Sequence, residues 1–222
     1  MMKVSPKGVL EIAEHEGIVI GPYLDSVGVW TYGVGHTAAA GGPDPSKMTK
    51  VDTRSWSREK VNEEVLKALR LFDVDLDKYE ARVNKAISRP LKQYQFDALV
   101  SFDFNTGGIH RANLTKDINA GRMDGNGFMG WVRPKEIIKR RKAEQALFRS
   151  GNYDANGSNI PVYDTTINGK PRFRFSLNSK EVEGMMRSVN ASHTVPKSVM
   201  SLPKTSIYNI FLGWAKKLFK RP

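Results

Sequence analysis

From Val61 to Ile87 the apolar residues Val61, Val65, Leu69, Phe72, Leu76, Tyr79, Val83 and Ile87 recur every three or four positions. That is the spacing of one face of an α-helix. Ser57 begins the segment and Pro90 stops it, so the pattern predicts a helix of roughly 30 residues. A rod of that length outreaches one small lobe and predicts two lobes joined by it.

The flanking segments say what those lobes contain. Ser5-Pro6 reads as an N-cap followed by proline at the first helical position. Val9, Ile12 and Ala13 give a short apolar face, and Gly17 suits a C-cap, which leaves Glu16 at the helix end. Tyr23-Leu24, the turn-like Asp25-Ser26-Val27-Gly28, and Val29 to Tyr32 read as a β-hairpin. After Pro90, "QYQFDALVSFDFNTGG" predicts a buried helix with a glycine stop, 112–120 a short helix, and the segment from Pro134 to Gly151 another helix. "VYDTTINGKPRFRFSL" alternates around Asn168-Gly169, a hairpin signal, and a short helix is expected over 180–188. The predicted class is α+β, with a small β-hairpin lobe, a mainly helical lobe and a C-terminal extension. The expected divisions are 1–153, an extension with a hairpin over 154–189, and a basic linker with an amphipathic helix over 190–222.

Of the 222 residues, 40% are hydrophobic and 26% charged, an ordinary globular balance. There is no cysteine, which excludes a disulfide framework and a thiolate metal site. The four histidines are scattered, and His15 has no second histidine four residues on, so no zinc-protease motif is present. No metal and no cofactor is expected. No run reaches the roughly 18 apolar residues of a membrane span, and the N-terminal residues do not read as a signal peptide. The net charge is +12, and after Glu183 come Arg187, Lys197, Lys204, Lys216, Lys217, Lys220 and Arg221 with no acid. Such an excess suits a polyanionic partner. Ile207, Phe211, Trp214 and Leu218 share one helical face with clustered lysines away from it, which points to an anionic membrane surface engaged through 205–221. Packing of that face on the protein's own body is the alternative. No nucleic-acid motif accompanies the charge.

The chemistry concentrates in "EHEGIVIGPYLDSVGVWTYGVGHT", Glu14 to Thr37. If Glu16 ends a helix and Asp25 and Thr31 sit on the two arms of a hairpin, all three face one cleft. Two carboxylates across a cleft suit glycoside hydrolysis, one donating a proton to the leaving oxygen and the other activating water. A threonine hydroxyl would orient that water. The plain alternatives are an Asx-turn at Asp25 and an ordinary strand position at Thr31. Glu14 and His15 read as helix-surface residues. The scarcity of lysine and arginine in this stretch fits a carboxyl that must hold its proton.

The wording of the stretch resembles the phage-type lysozymes, the endolysin muramidases of glycoside hydrolase family 24. Their pattern is Glu, eight residues, Asp or Cys, five residues, Thr, then Gly-x-Gly-His. "QYQFDALVSFDFNTG" and "GWVRPKEIIKRRKAEQALFRSG" are similar to the family's later motifs, so the resemblance covers about residues 5–153. It implies a lysozyme-like fold and hydrolysis, with inversion, of the β-1,4 bond between N-acetylmuramic acid and N-acetylglucosamine in peptidoglycan. Glu16 matches the general acid, Asp25 the base for the attacking water, and Thr31 the residue that positions this water. A carboxylate separation of roughly 6.5–9.5 Å would suit inversion. His36 matches a histidine that pairs with an acid on the long helix, for which Asp73 is the first candidate and Asp75 the second, in a structural rather than catalytic pair. Asn105 lines the saccharide cleft or caps its helix. Arg140 or Arg141 matches an arginine near the general acid, with Arg140 preferred by position. The resemblance further implies a monomer, and an enzyme of the host bacterial cytoplasm that reaches the wall through a separate holin. A lytic transglycosylase, which relies on one glutamate, and an inactive cationic shell are the alternatives.

Overall fold

The computed structural model describes residues 1–191. Helix α1 (Pro6–Glu16) begins as its sequence dictates: Ser5 Oγ accepts from Gly8 N at 3.1 Å and Pro6 occupies the first turn. Gly17, at φ +74°, ends it, its N–H donating to Ala13 O at 2.8 Å. The chain runs directly into β1 (Ile18–Leu24), turns, and returns as β2 (Trp30–Gly33) and β3 (His36–Thr37). Tyr23 faces Thr31 across the antiparallel β1–β2 pair, while the register slips between Val19 and Tyr23.

The long helix is α2 (Arg58–Ala86), 29 residues, capped by Ser57 Oγ on Lys60 N at 3.3 Å. It spans about 43 Å. Its buried stripe is Val61, Val65, Ala68, Leu69, Phe72, Leu76 and Val83. Helix α3 (Gln93–Thr106) is buried along most of its length and stops at Gly107; α4 (Asn113–Asn119) and α5 (Ile138–Ser150) complete the helical lobe. A 3₁₀ turn over Lys135–Ile137 precedes α5, so the α-helix proper starts four residues after Pro134.

Strands β4 (Asn159–Thr165) and β5 (Pro171–Asn178) are the expected hairpin, turning at Asn168-Gly169. They do not stand as an appendage after residue 153. β4 pairs parallel to β1, with Ile18 opposite Val162 and Val19 opposite Tyr163, to give one five-stranded sheet of order β3-β2-β1-β4-β5. The reason is physical: β1 would otherwise expose a row of unpaired backbone groups along its outer edge. Ile160, Val162 and Leu177 of the hairpin enter the same core as Ile12, Ile18 and Phe72. Residues 1–186 accordingly form one compact unit. Helix α6 (Ser179–Ala191) follows β5 without a break, overrunning the expected 180–188 at its C-terminal end. The expected amphipathic helix over 205–221 and most of the basic linker before it lie outside the described residues. Among the described residues no helix is long and apolar enough to cross a membrane.

Ile160 is fully buried. Ile160→Ala should destabilise the whole unit by about 2–5 kcal/mol, seen as one cooperative denaturant transition at a lower midpoint. A separate early transition, with the main one unmoved, would mean that the hairpin folds on its own.

Candidate active site

Glu16 is the last residue of α1, and its carboxyl forms an ion pair with Arg140 Nη1 from α5. Its side chain is 31% exposed whereas that of Arg140 is 8% exposed, so the guanidinium holds the carboxylate at the rim of a buried cluster. Arg140 Nε donates to Glu144 Oε1 at 3.0 Å, Ser101 Oγ donates to the same oxygen at 2.8 Å, and Arg141 Nη1 lies 2.9 Å from Glu144 Oε2. Arg141 is fully buried. Its Nη2 donates to Asn105 Oδ1 at 2.8 Å and its guanidinium lies 5.2 Å from the Phe102 ring centroid. Burial raises the Glu144 carboxyl above the usual range, and the Arg140 and Arg141 charges oppose that rise. Two arginines and Glu144 are thus sunk together, with the Glu16 carboxyl held against them from the surface.

Asp25 sits in the β1–β2 turn. Its Oδ1 accepts from Val27 N at 2.9 Å and from Val29 N at 2.8 Å, which is an Asx-turn with one extra bond. These bonds fix the orientation of the carboxyl and leave Oδ2 for other partners. The Asx-turn and a role in chemistry are therefore compatible. Thr31 is 1% exposed, and its hydroxyl donates to Val29 O at 3.0 Å, which leaves the oxygen lone pairs as acceptors. Tyr23 stands opposite Thr31. Its phenol is pushed up to about 12 by burial, then by the charges of Asp25 and Glu16. The charges of both carboxylates are thus felt at this one side chain. Tyr23 escaped the sequence reading, although its place two residues before Asp25 on a strand gives it the same face.

His36 is 2% exposed, with Nδ1 at 2.8 Å from Asp75 Oδ2 and Nε2 at 2.8 Å from Pro43 O. The partner is Asp75, not Asp73. Two residues turn a helix by about 200°, so Asp73 faces away, near Lys3, Asp77 and Glu80, while Asp75 faces the sheet. With both ring nitrogens bonded, His36 is a structural pin. Asn105 is not its helix's cap, a position taken by Gly107. Its exposed amide is oriented by Arg141, with the NH₂ group turned outward on this assignment. Arg140 reaches Glu16 and Arg141 does not. Glu144 was missed by the sequence reading, although its spacing of four and three residues from the two arginines puts all three on one helix face. Among the described residues no three metal-ligating side chains converge.

The residues around Glu16 on α1 correct another expectation. Glu14 is 4% exposed and accepts from Asn156 N at 2.9 Å, so it is not a helix-surface residue. His15 is held neutral, its imidazole lowered to about 3 by burial and then by Arg140, Arg141 and Lys139. Glu11 is 2% exposed, and neither carboxyl oxygen has a hydrogen-bond partner of normal geometry. Burial, followed by the charge of Glu14, raises it to about 8. The segment after α5 packs on α1 at Glu11 and Glu14, an enclosure that helical periodicity alone does not announce.

A family model described as phage lysozyme matches residues 13–144, ending before β4. The endolysin of Acyrthosiphon pisum secondary endosymbiont phage 1 is 32% identical over 162 residues, 67% of this chain and 99% of that protein. A P22 lysozyme variant of known structure aligns with a TM-score of 0.55 at 28% identity, over 68% of this chain and all of its own (100%). The muramidase domain of SpmX from Asticaccaulis excentricus aligns with a TM-score of 0.53 at 27% identity, over 68% of this chain and 99% of its own.

Glu11 gives a prediction for pH. A carboxyl near 8 in the folded chain and near 4.5 unfolded binds more proton when folded across that window, so stability falls as pH rises from about 4.5 to 8 and then levels. Glu11→Gln, which keeps shape without charge, should remove this decline and gain about 3–5 kcal/mol over wild type at pH 8. Denaturant midpoints of the two proteins at pH 5 and pH 8 read the difference directly; equal pH slopes would contradict it.

Proposed function

Because this chain belongs to the phage lysozyme family, we propose that Glu16, Asp25 and Thr31 are its catalytic centre. The chain is a peptidoglycan-hydrolysing muramidase of the endolysin type. One observation supports this assignment of roles above the rest: strand β1 alone separates Glu16, the last residue of α1, from Asp25 in the β1–β2 turn, and β2 sets Thr31 opposite Tyr23 of that strand.

In the reading offered here, the glycan lies across the cleft with its scissile β-1,4 oxygen at Glu16. Glu16 donates its proton to that oxygen as the bond to the anomeric carbon breaks. A water on the opposite face of the ring forms the new bond and gives its proton to Asp25 Oδ2. Oδ1 is already engaged by the turn's own N–H groups, so the free oxygen has a fixed direction. The Thr31 hydroxyl donates to Val29 O and accepts a hydrogen bond from the water's other O–H, which stays on the product and aims the water's lone pair at the sugar. Attack from the face opposite the leaving group inverts the anomeric centre. Arg140 holds the Glu16 carboxyl in place through its ion pair. The Asn105 amide, oriented by Arg141, offers donors to the saccharide. The enzyme works as a monomer and reaches the wall from inside the host through a separate membrane pore.

Glu16→Gln should leave the fold intact and lower the rate of turbidity clearing of purified peptidoglycan by roughly 10²–10⁴-fold. Clearing at the wild-type rate would remove Glu16 from the chemistry. The wild-type product distinguishes the alternatives: an α-anomer formed first means inversion, a 1,6-anhydro sugar means a transglycosylase, and no product means a binding shell.

A second proposal concerns the basic C-terminal segment, which we infer engages an anionic membrane surface. It carries seven positive charges after the last acid, together with Phe211, Trp214 and Phe219, a composition suited to a lipid interface. Deleting the residues after Pro203 should spare hydrolysis of purified wall and weaken co-sedimentation with phosphatidylglycerol vesicles. Undiminished sedimentation would end this reading.

A further inference from the structure

The β4–β5 hairpin lies beyond the residues that the family model matches and supplies none of the three catalytic groups. It nevertheless follows the whole of β1, the strand that separates Glu16 from Asp25, and meets it at three points. At the Glu16 end, the Tyr163 ring lies against Gly17; a Cβ there would be 2.8 Å from Tyr163 Cε2. In the middle, Thr165 Oγ1 donates to Pro22 O at 3.0 Å, and its methyl group leaves no room for a side chain at Gly21. At the Asp25 end, Leu24 N donates to Gly169 O at 2.8 Å. Gly169 has φ +71°, and a Cβ there would be 2.8 Å from Trp30 Cζ3.

The middle contact falls where β1 is weakest. The β1–β2 register slips between Val19 and Tyr23, and Pro22 has no N–H to give. A strand interrupted in this way can bend, and a bend would carry Asp25 toward or away from Glu16. The hairpin is itself anchored. Asp164 Oδ1 accepts from Thr53 Oγ1 at 3.0 Å and from Arg174 Nη1 at 2.7 Å, Thr165 N donates to Thr53 Oγ1 at 2.9 Å, and Arg174 Nη2 donates to Trp56 O at 2.7 Å. These bonds tie it to the segment just before α2, so β1 is braced against the domain rather than against a free loop.

We propose that the β4–β5 hairpin is a strut that fixes the separation of Glu16 and Asp25, with Thr165 and Gly169 as positioning residues for that pair. The proposal rests on Glu16 and Asp25 being the acid and base. Such positioning matters because an error of about 1 Å in a reacting group costs on the order of 10²-fold in rate.

The test compares Thr165→Val, Thr165→Ser, Gly169→Ala and Asp25→Asn with wild type on soluble, uncrosslinked glycan strands, well below each protein's unfolding midpoint. Thr165→Val, which removes the hydroxyl and keeps the shape, should lower kcat by about tenfold or more while KM stays within about twofold. Its pH–rate profile should shift, because the two carboxylates sense each other at a changed distance. Thr165→Ser, which keeps the hydroxyl, should recover most of the turnover. Gly169→Ala, strained at its turn, gives the same signature from the Asp25 end and serves if Thr165→Val does not fold. Folded variants with wild-type kcat and pH profile would overturn the proposal, as would a loss confined to KM or a Thr165→Ser no better than Thr165→Val. Asp25→Asn separates the two levels: if it turns over like wild type, the acid–base reading itself is wrong. If it is inactive while the hairpin variants are silent, only the strut is wrong.

Discussion

Glu144 is the residue on which the rest of the site depends. It is a carboxylate sealed in the helical lobe between two arginines, with Ser101 filling part of its remaining capacity. Removing either sign from such a cluster strands the other in a poorly solvating interior. The arginines therefore cannot wander, and each carries the constraint outward: Arg140 to Glu16 on α1, Arg141 to Asn105 on α3. Three helices are thereby referenced to one buried atom pair. Through Arg140 the carboxyl of Glu16, at the surface, is tied to this buried cluster.

The second constraint is strand β1, whose two edges have different work. On one edge β2 sets Thr31 opposite Tyr23 and closes the turn that holds Asp25. On the other, β4 supplies backbone and side-chain contacts along the stretch where the first pairing slips. A strand this short, with Gly21 and Pro22 inside it, has little stiffness of its own. It is paired with β4 at Ile18 and Val19 and with β2 at Val19, Tyr23 and Leu24, and Thr165 and Gly169 bond it at Pro22 and Leu24.

Much of this was legible in the sequence, for definable reasons. The long helix showed itself through its apolar period, α1 through Ser5-Pro6 and Gly17, and both hairpins through their turn residues. Glu16, Asp25 and Thr31 stood out because a family pattern fixes their spacing. Contacts between distant segments showed only where the family pattern named them. Arg140, which reaches Glu16 from 124 positions away, was legible only through the family pattern, since the stretch around Glu16 is itself short of basic residues. Glu14 read as a surface residue because the chain that covers it lies beyond Ser150. The choice between Asp73 and Asp75 needed only the helical angle between them, which spacing contained and the first preference overlooked. The pairing of β4 with β1 has no local signal, since parallel partners are joined only after the intervening helices have folded back.

The two carboxylates are held by different means, which bears on how they would divide the reaction in the proposed roles. Glu16 is restrained by a side-chain cation that is itself rigid, whereas Asp25 is restrained by backbone N–H groups of its own turn. The first arrangement fixes where the carboxyl sits relative to the helical lobe, which carries Asn105. The second fixes where it points relative to Thr31. A glycan bound across the cleft meets one group referenced to each lobe, so the reacting geometry is correct only when the lobes hold their relation. That relation passes through α2 along the length of the molecule and, more directly, through β1. In the proposed strut, the contacts of β4 and β5 with β1 are what would keep that shorter path from bending. If Glu16 and Asp25 are the acid and base as proposed, their separation is a property of the sheet as much as of the two residues.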